Sequence, residues 1–144
     1  MTKLFSPTGM NIELTTACPL RCPQCYCTLE GGKHISYDVA LDYLRQAKEI
    51  GIKHVELSGG ETLCYPHLFE LVQAAHELGL ETNIAISGWG LDEFVLDRLR
   101  KAGLTNIFVS LNGPTEEINS ISRAGFKYAI DALALLKKAA FPNV

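Results

Sequence analysis

Short stretches of alternating apolar and polar residues recur along the chain, each followed by a longer stretch with helical apolar spacing. Met10–Thr15, Lys53–Ser58, Thr82–Ser87 and Asn106–Leu111 show the period of two that predicts a β-strand. Glycine or Asn-Gly follows the last three of these runs. The intervening stretches predict amphipathic helices. The first covers Asp38–Ile50, with Ser36 placed to cap it and Gly51 to end it. In the second, Pro66 suits the first turn, Leu68, Leu71, Val72, Ala75 and Leu78 share a face, and Gly79 stops it. A third spans Asp92–Ala102 before Gly103. A fourth runs over Lys127–Ala140, with Ile130, Leu133, Leu136 and Ala140 forming its apolar stripe.

Strands alternating with helices in this way predict βαβ units and a parallel sheet. The fold class is α/β, a parallel (βα)n arrangement of about four units. Four units make a partial barrel or a small open sheet, and a fifth strand is expected to begin at Phe141-Pro-Asn-Val144. The spacing therefore predicts a shortened barrel. Residues 16–36, between the first strand and the first helix, form a long loop.

Composition narrows the class. With 144 residues, 47% of them hydrophobic, the chain fits one domain with a real core, and disorder is excluded. A net charge of −3 gives no basic field for nucleic acid. No apolar run approaches membrane-spanning length, and the first seven residues lack the apolar stretch of a secretory signal. A cytoplasmic protein without a membrane partner is expected.

The cysteines change the picture most. Cys18, Cys22, Cys25 and Cys27 crowd into the long loop, and Cys64 lies apart. A disulfide framework would spread its cysteines along the chain, so this cluster points to metal. Cys18, Cys22 and Cys25 have C-x3-C-x2-C spacing just after a strand. Three thiolates on a short loop can hold three corners of an iron–sulfur cubane and leave one iron open. The alternative is structural zinc, completed by Cys27, Cys64 or His34.

Other polar positions fall at the same ends of the strands. Gly59-Gly60-Glu61 ends the second strand, where two glycines permit close backbone approach and the carboxylate could receive an ammonium group. Taken alone, the glycines are better accounted for by a plain strand-to-helix turn. Ser87-Gly88 ends the third strand, either lining a pocket or turning the chain. Ser110-Leu-Asn112-Gly113 ends the fourth, and its side chains either bond a ribose or satisfy a turn. Arg123 comes ten residues later, as an anion contact or a solvated surface charge. Cys64 reads as a small buried apolar residue or a redox thiol.

The cysteine spacing at the end of a first strand, with Gly59-Gly-Glu61 at the end of the second, resembles the radical S-adenosylmethionine (radical SAM) superfamily. In that family three such cysteines hold a 4Fe–4S cluster whose open iron binds the amino and carboxylate groups of SAM. The resemblance makes residues 1–144 the N-terminal part of a radical SAM core domain, with cluster loop 16–36. It implies that Cys18, Cys22 and Cys25 ligate the cluster and that Gly59, Gly60 and Glu61 recognise the SAM amino group. Gln24 stands where the family commonly has an aromatic residue, and Tyr26 follows the third cysteine instead; the adenine contact there uses backbone groups. Ser87, Ser110 and Asn112 are implied to line the SAM pocket, with Asn112 in place of a recurrent acid. Arg123 is implied to pair with the SAM carboxylate.

The resemblance also implies an enzyme that cleaves SAM reductively and uses a 5′-deoxyadenosyl radical to abstract hydrogen. C-P-L-R-C-P-Q-C-Y and S-L-N-G resemble the branches that modify peptides or mature cofactors. A peptide substrate and a reductase or flavodoxin-type electron donor are the implied partners. A second copy of the chain, or further strands, would cover the barrel edge. The competing reading is a non-catalytic cluster- or zinc-binding module that recognises a peptide or partner.

Overall fold

The computed structural model of the chain describes residues 7–27 and 30–142. Four strands, β1 (Gly9–Thr15), β2 (His54–Gly59), β3 (Glu81–Ile86) and β4 (Asn106–Val109), pair in parallel in the order β1-β2-β3-β4. Helices α1 (Tyr37–Glu49), α2 (Leu68–Glu77) and α3 (Glu93–Lys101) make the crossovers. A short α4 (Glu116–Ser120) and a longer α5 (Phe126–Lys138) follow β4. The α/β, parallel partial-barrel architecture expected from the alternation is the one observed. No helix among the described residues is long and apolar enough to cross a membrane.

Register explains where the core lies. Ile12, Leu57, Ile84 and Ile107 stand side by side across the four strands, and all are buried under the helices. Ala40 and Leu44 of α1, Leu71 and Val72 of α2 and Leu99 of α3 close over this row with no exposed surface. Displaced by one residue, Asn11, Glu56, Asn83 and Asn106 form a parallel row on the opposite face. Asn11 Nδ2 donates to Glu56 at 2.9 Å, Ser58 Oγ donates to Asn11 Oδ1 at 2.9 Å, and Asn106 Nδ2 donates to Asn83 Oδ1. Parallel sheets buried on both faces carry apolar residues on both; this one keeps a polar inner face.

The helix caps follow from sequence. Ser36 Oγ accepts the Val39 amide and Asp92 accepts the Val95 amide, which starts α1 and α3 where expected. Three expectations need correction. α2 begins at Leu68 rather than at Pro66, because Thr62–Cys64 winds a 3-10 turn and His67 takes the N-cap position. β4 ends at Val109, two residues short of Leu111. Finally, α5 buries Ala129, Ala132 and Leu136, while Ile130 is 40% exposed and Ala140 lies beyond the helix at φ 47°. The cause is close approach: a Cβ on Gly88 would run into the Tyr128 carbonyl oxygen, so small residues must face inward there. Within the segment expected to start a fifth strand, Phe141 is buried at the end of the core, and Asn143 and Val144 lie outside the described residues.

Candidate functional site at the strand ends

The C-terminal ends of β1 and β2 meet where the cysteine loop begins. The Gly60 amide donates to the Thr15 carbonyl at 2.6 Å, and the Glu61 amide donates to the Ala17 carbonyl at 2.8 Å. A Cβ on Gly59 would lie 2.5 Å from the Thr15 carbonyl oxygen, and one on Gly60 2.5 Å from that of Ala17. Gly59 also has φ 147°, which side-chain-bearing residues rarely adopt. The two glycines are therefore required by backbone-to-backbone contact, not merely permitted by a turn.

The loop returns alongside β1 through Thr16 and Ile35, whose amides donate to Lys33 at 2.8 Å and Leu14 at 2.9 Å. Arg21 Nη1 donates to the carbonyls of Cys18 and Leu20, both at 2.8 Å, and the Gln24 amide reaches the Ser122 carbonyl at 3.2 Å. These bonds tie the loop to itself and to the turn after α4. They bring Cys18, Cys22 and Cys25 to the wall of one cavity of about 260 Å³. Gln24, Tyr26, Gly59, Gly60, Ser87, Ser110 and Arg123 line the same cavity, and Glu56 and Ser58 of the polar inner face continue its wall.

Two of the residues singled out from sequence stand back from that wall. Glu61 is 1% exposed, and its carboxylate accepts the amide and hydroxyl of Ser87 and the amide of Leu63. It ties the end of β2 to the end of β3. Burial pushes its carboxyl above the usual range, although the hydrogen bonds from Ser87, Leu63 and Thr62 pull the other way. Asn112 sits behind Arg123 and accepts from its Nε at 3.0 Å. Burial also raises the Cys18 thiol, helped by the negative charge of Glu61 and the neighbouring thiols.

Among the described residues, no three His, Cys, Asp or Glu side chains converge as one metal ion would require. Of the candidate zinc donors, Cys27 lines the same cavity and its Sγ donates to the Gly59 carbonyl at 3.5 Å, while the His34 ring packs near that of Tyr65. Cys64 lies in the 3-10 turn after Glu61. Three thiols spread around a cavity form a donor set that could hold a cluster, whose irons are separate ligation points.

Reasoning from sequence missed Asn119. It is 1% exposed; its Oδ1 accepts the Asn112 amide and its Nδ2 donates to the Arg123 carbonyl, both at 2.8 Å. The available signal was Thr115 ahead of Glu116 and Glu117, a cap and acidic first turn that mark a helix start at α4.

Residues 12–144 match the Radical SAM superfamily. Over 118 residues the chain is 38% identical to the PqqA peptide cyclase of Rhizobium meliloti (strain 1021), covering 80% of this chain and 32% of that protein. Its fold is shared with Streptococcus suis SuiB bound to precursor peptide SuiA, at TM-score 0.82 and 21% identity over 95% of this chain and 32% of that one. SuiB bound to S-adenosylmethionine gives 0.80 at 21% identity, with the same coverage of this chain and 31% of that one. Methylornithine synthase (PylB) gives 0.77 at 23% identity, over 94% of this chain and 42% of that one. The chain thus spans about a third of the length of the first of these relatives. The superfamily uses a 4Fe–4S cluster and SAM. On the match over residues 12–144, this chain belongs to the radical SAM superfamily.

Proposed function

We propose that this chain carries the SAM-cleaving site of a radical SAM enzyme that abstracts hydrogen from a peptide substrate, and that residues 1–144 form the N-terminal part of its core domain. The observation that carries the reading is a single cavity lined by Cys18, Cys22 and Cys25, by Gly59 and Gly60, and by Ser87, Ser110 and Arg123. Held there by Cys18, Cys22 and Cys25, a reduced cluster would supply one electron to SAM, the chemistry that breaks its C5′–S bond into methionine and a 5′-deoxyadenosyl radical.

The chain's own residues bind and orient. Cys18, Cys22 and Cys25 are the cluster ligands. The Gly60 amide is already engaged by Thr15, so what the Gly59–Gly60 backbone offers a ligand is carbonyl oxygen, that of Gly59 shared with the Cys27 thiol, the right polarity for an ammonium group. Glu61 keeps that backbone in place from behind. Arg123 presents a cation to a carboxylate across the same cavity, and Ser87, Ser110 and the backbone around Gln24 and Tyr26 remain for ribose and adenine. Cys25 is exposed and Tyr26 is 80% exposed, which leaves the loop open to a reductase or flavodoxin-type electron donor.

The likeness to a peptide cyclase supports a peptide substrate. The free edge of β4 is where further barrel strands or a second copy would continue the sheet. The reading places the protein in the cytoplasm, where thiols stay available for iron.

The test is anaerobic reconstitution with iron and sulfide, dithionite reduction, and EPR with and without SAM. A 4Fe–4S signal that shifts on SAM addition, and that is lost in Cys18→Ala, Cys22→Ala or Cys25→Ala, is the expected result. A cluster indifferent to SAM would sink the SAM site. Zinc in place of a cluster would make the chain a binding module.

A further inference from the structure

Glu56 carries a charge on the inner face that the chain's own side chains leave unbalanced. Its place in β2, between the buried Val55 and Leu57, turns it away from the helices. Its register neighbours on either side, Asn11 and Asn83, are neutral amides. One carboxylate oxygen, Oε1, accepts Asn11 Nδ2 at 2.9 Å. No Lys, Arg or His forms an ion pair with Glu56 among the described residues. His54, two residues earlier on the same face, is paired instead with Glu81 at 2.9 Å.

This carboxylate stands where two cavities meet. It lines the thiol-bearing cavity together with Ser58 and Gly59, and also a second cavity of about 260 Å³ shared with Asn11, His54 and Asn83. At ~3.3 Å per residue along β2, its Cα is about 10 Å from that of Gly59. It therefore lies away from the strand end that receives SAM, where the first cavity continues along the inner face into the second. The carbon that loses hydrogen must come into contact with the 5′ carbon, so a substrate occupies the space beside SAM. A substrate filling that space covers Glu56 and strips water from it. A charge desolvated without a partner is costly, whereas one that meets a hydrogen-bonding cation is not. An apolar or acidic group would be rejected there, and an ammonium or guanidinium drawn in.

We infer that Glu56 is a specificity-determining residue, which selects a peptide carrying a Lys or Arg side chain beside the carbon that loses hydrogen. The inference rests on the proposed SAM site and names the class of substrate that site would act on.

Equilibrium binding to the cluster-loaded, SAM-bound chain tests it, using end-blocked pentapeptides Gly-Gly-Xaa-Gly-Gly in which Xaa is Lys, Arg, acetyl-lysine or Glu. Wild type should bind the Lys and Arg peptides about tenfold more tightly than the acetyl-lysine peptide, which has length without charge; a charge-assisted hydrogen bond is worth that much. Glu56→Gln, which keeps the shape and can keep the Asn11 contact, should bind those three alike. Glu56→Lys should reverse the order and favour the Glu peptide. Added salt should narrow the wild-type preference. A preference for Lys and Arg that survives in Glu56→Gln would overturn the inference, as would a wild type that binds all the peptides alike or none. Loss of the SAM-induced EPR shift in Glu56→Gln would put the carboxylate against SAM and overturn it too. The same samples separate selectivity from SAM binding. A wild-type shift without a charge preference removes this inference alone, and no wild-type shift removes the SAM site and the inference with it.

Discussion

Two rows of residues cross the same four strands one position apart and do opposite work. Ile12, Leu57, Ile84 and Ile107 are sealed under helices, whereas Asn11, Glu56, Asn83 and Asn106 face the other way and bond one another in pairs. The first row supplies folding free energy through burial of apolar surface. The second contributes little to stability and keeps the inner face polar, so that a cavity at the strand ends can take a charged ligand. In a closed barrel packed for stability, that interior would hold branched apolar residues. A site is therefore placed on the face that the core does not need.

Cutting one residue from each row puts this division of labour at greatest risk. Leu57→Ala should lose about 3 kcal/mol in chemical denaturation, because Leu57 is fully buried and leaves a cavity. Glu56→Gln, its neighbour in sequence on the other face, should stay within about 0.5 kcal/mol. Similar losses for the two would mean that the inner face is as structural as the outer.

Gly60→Ala comes next, at about 2 kcal/mol, since the new Cβ meets main chain at Ala17 and the ends of β1 and β2 must part. Its EPR response to SAM should vanish while the cluster still forms. An unchanged response would show that the close approach has no functional consequence.

Glu61→Gln follows, at about 1–2 kcal/mol, because an amide has one acceptor oxygen where the carboxylate uses both, one for the Ser87 donors and one for the Leu63 amide. The wild-type carboxyl is raised by burial above its ordinary 4.5, so the folded state holds the proton more tightly than the unfolded one. That contribution to stability is fully present below the unfolded pKa and is lost as pH rises through the folded pKa. Melting temperature measured against pH should show this fall from about 4.5 upward in wild type, and it should be absent in Glu61→Gln.

Much of the scaffold is legible in the sequence, for local reasons. The α1 and α3 caps at Ser36 and Asp92, and the buried face of α2, depend on residues within a turn or two of one another. The C-x3-C-x2-C loop and Gly59–Glu61 are legible too, because each motif is contiguous. The stripe of α5 is not: which alanines face inward depends on Gly88, distant in sequence, approaching Tyr128. Nor could the roles of Glu61 and Asn112 be separated from those of the cavity wall, since each acts through a partner distant in sequence, Ser87 or Arg123.

The strand–helix alternation, the register of apolar positions and the presence of a thiol-bearing loop were thus settled by sequence alone, through periodicity and short-range chemistry. It took the assembled fold to show that the two glycines are demanded by contact with Thr15 and Ala17, that Glu61 is a buried tie, and that Asn119 fastens Asn112 to Arg123. Those facts arise where strand ends meet, and the packing of whole elements, not local preference, sets which backbone atoms touch there.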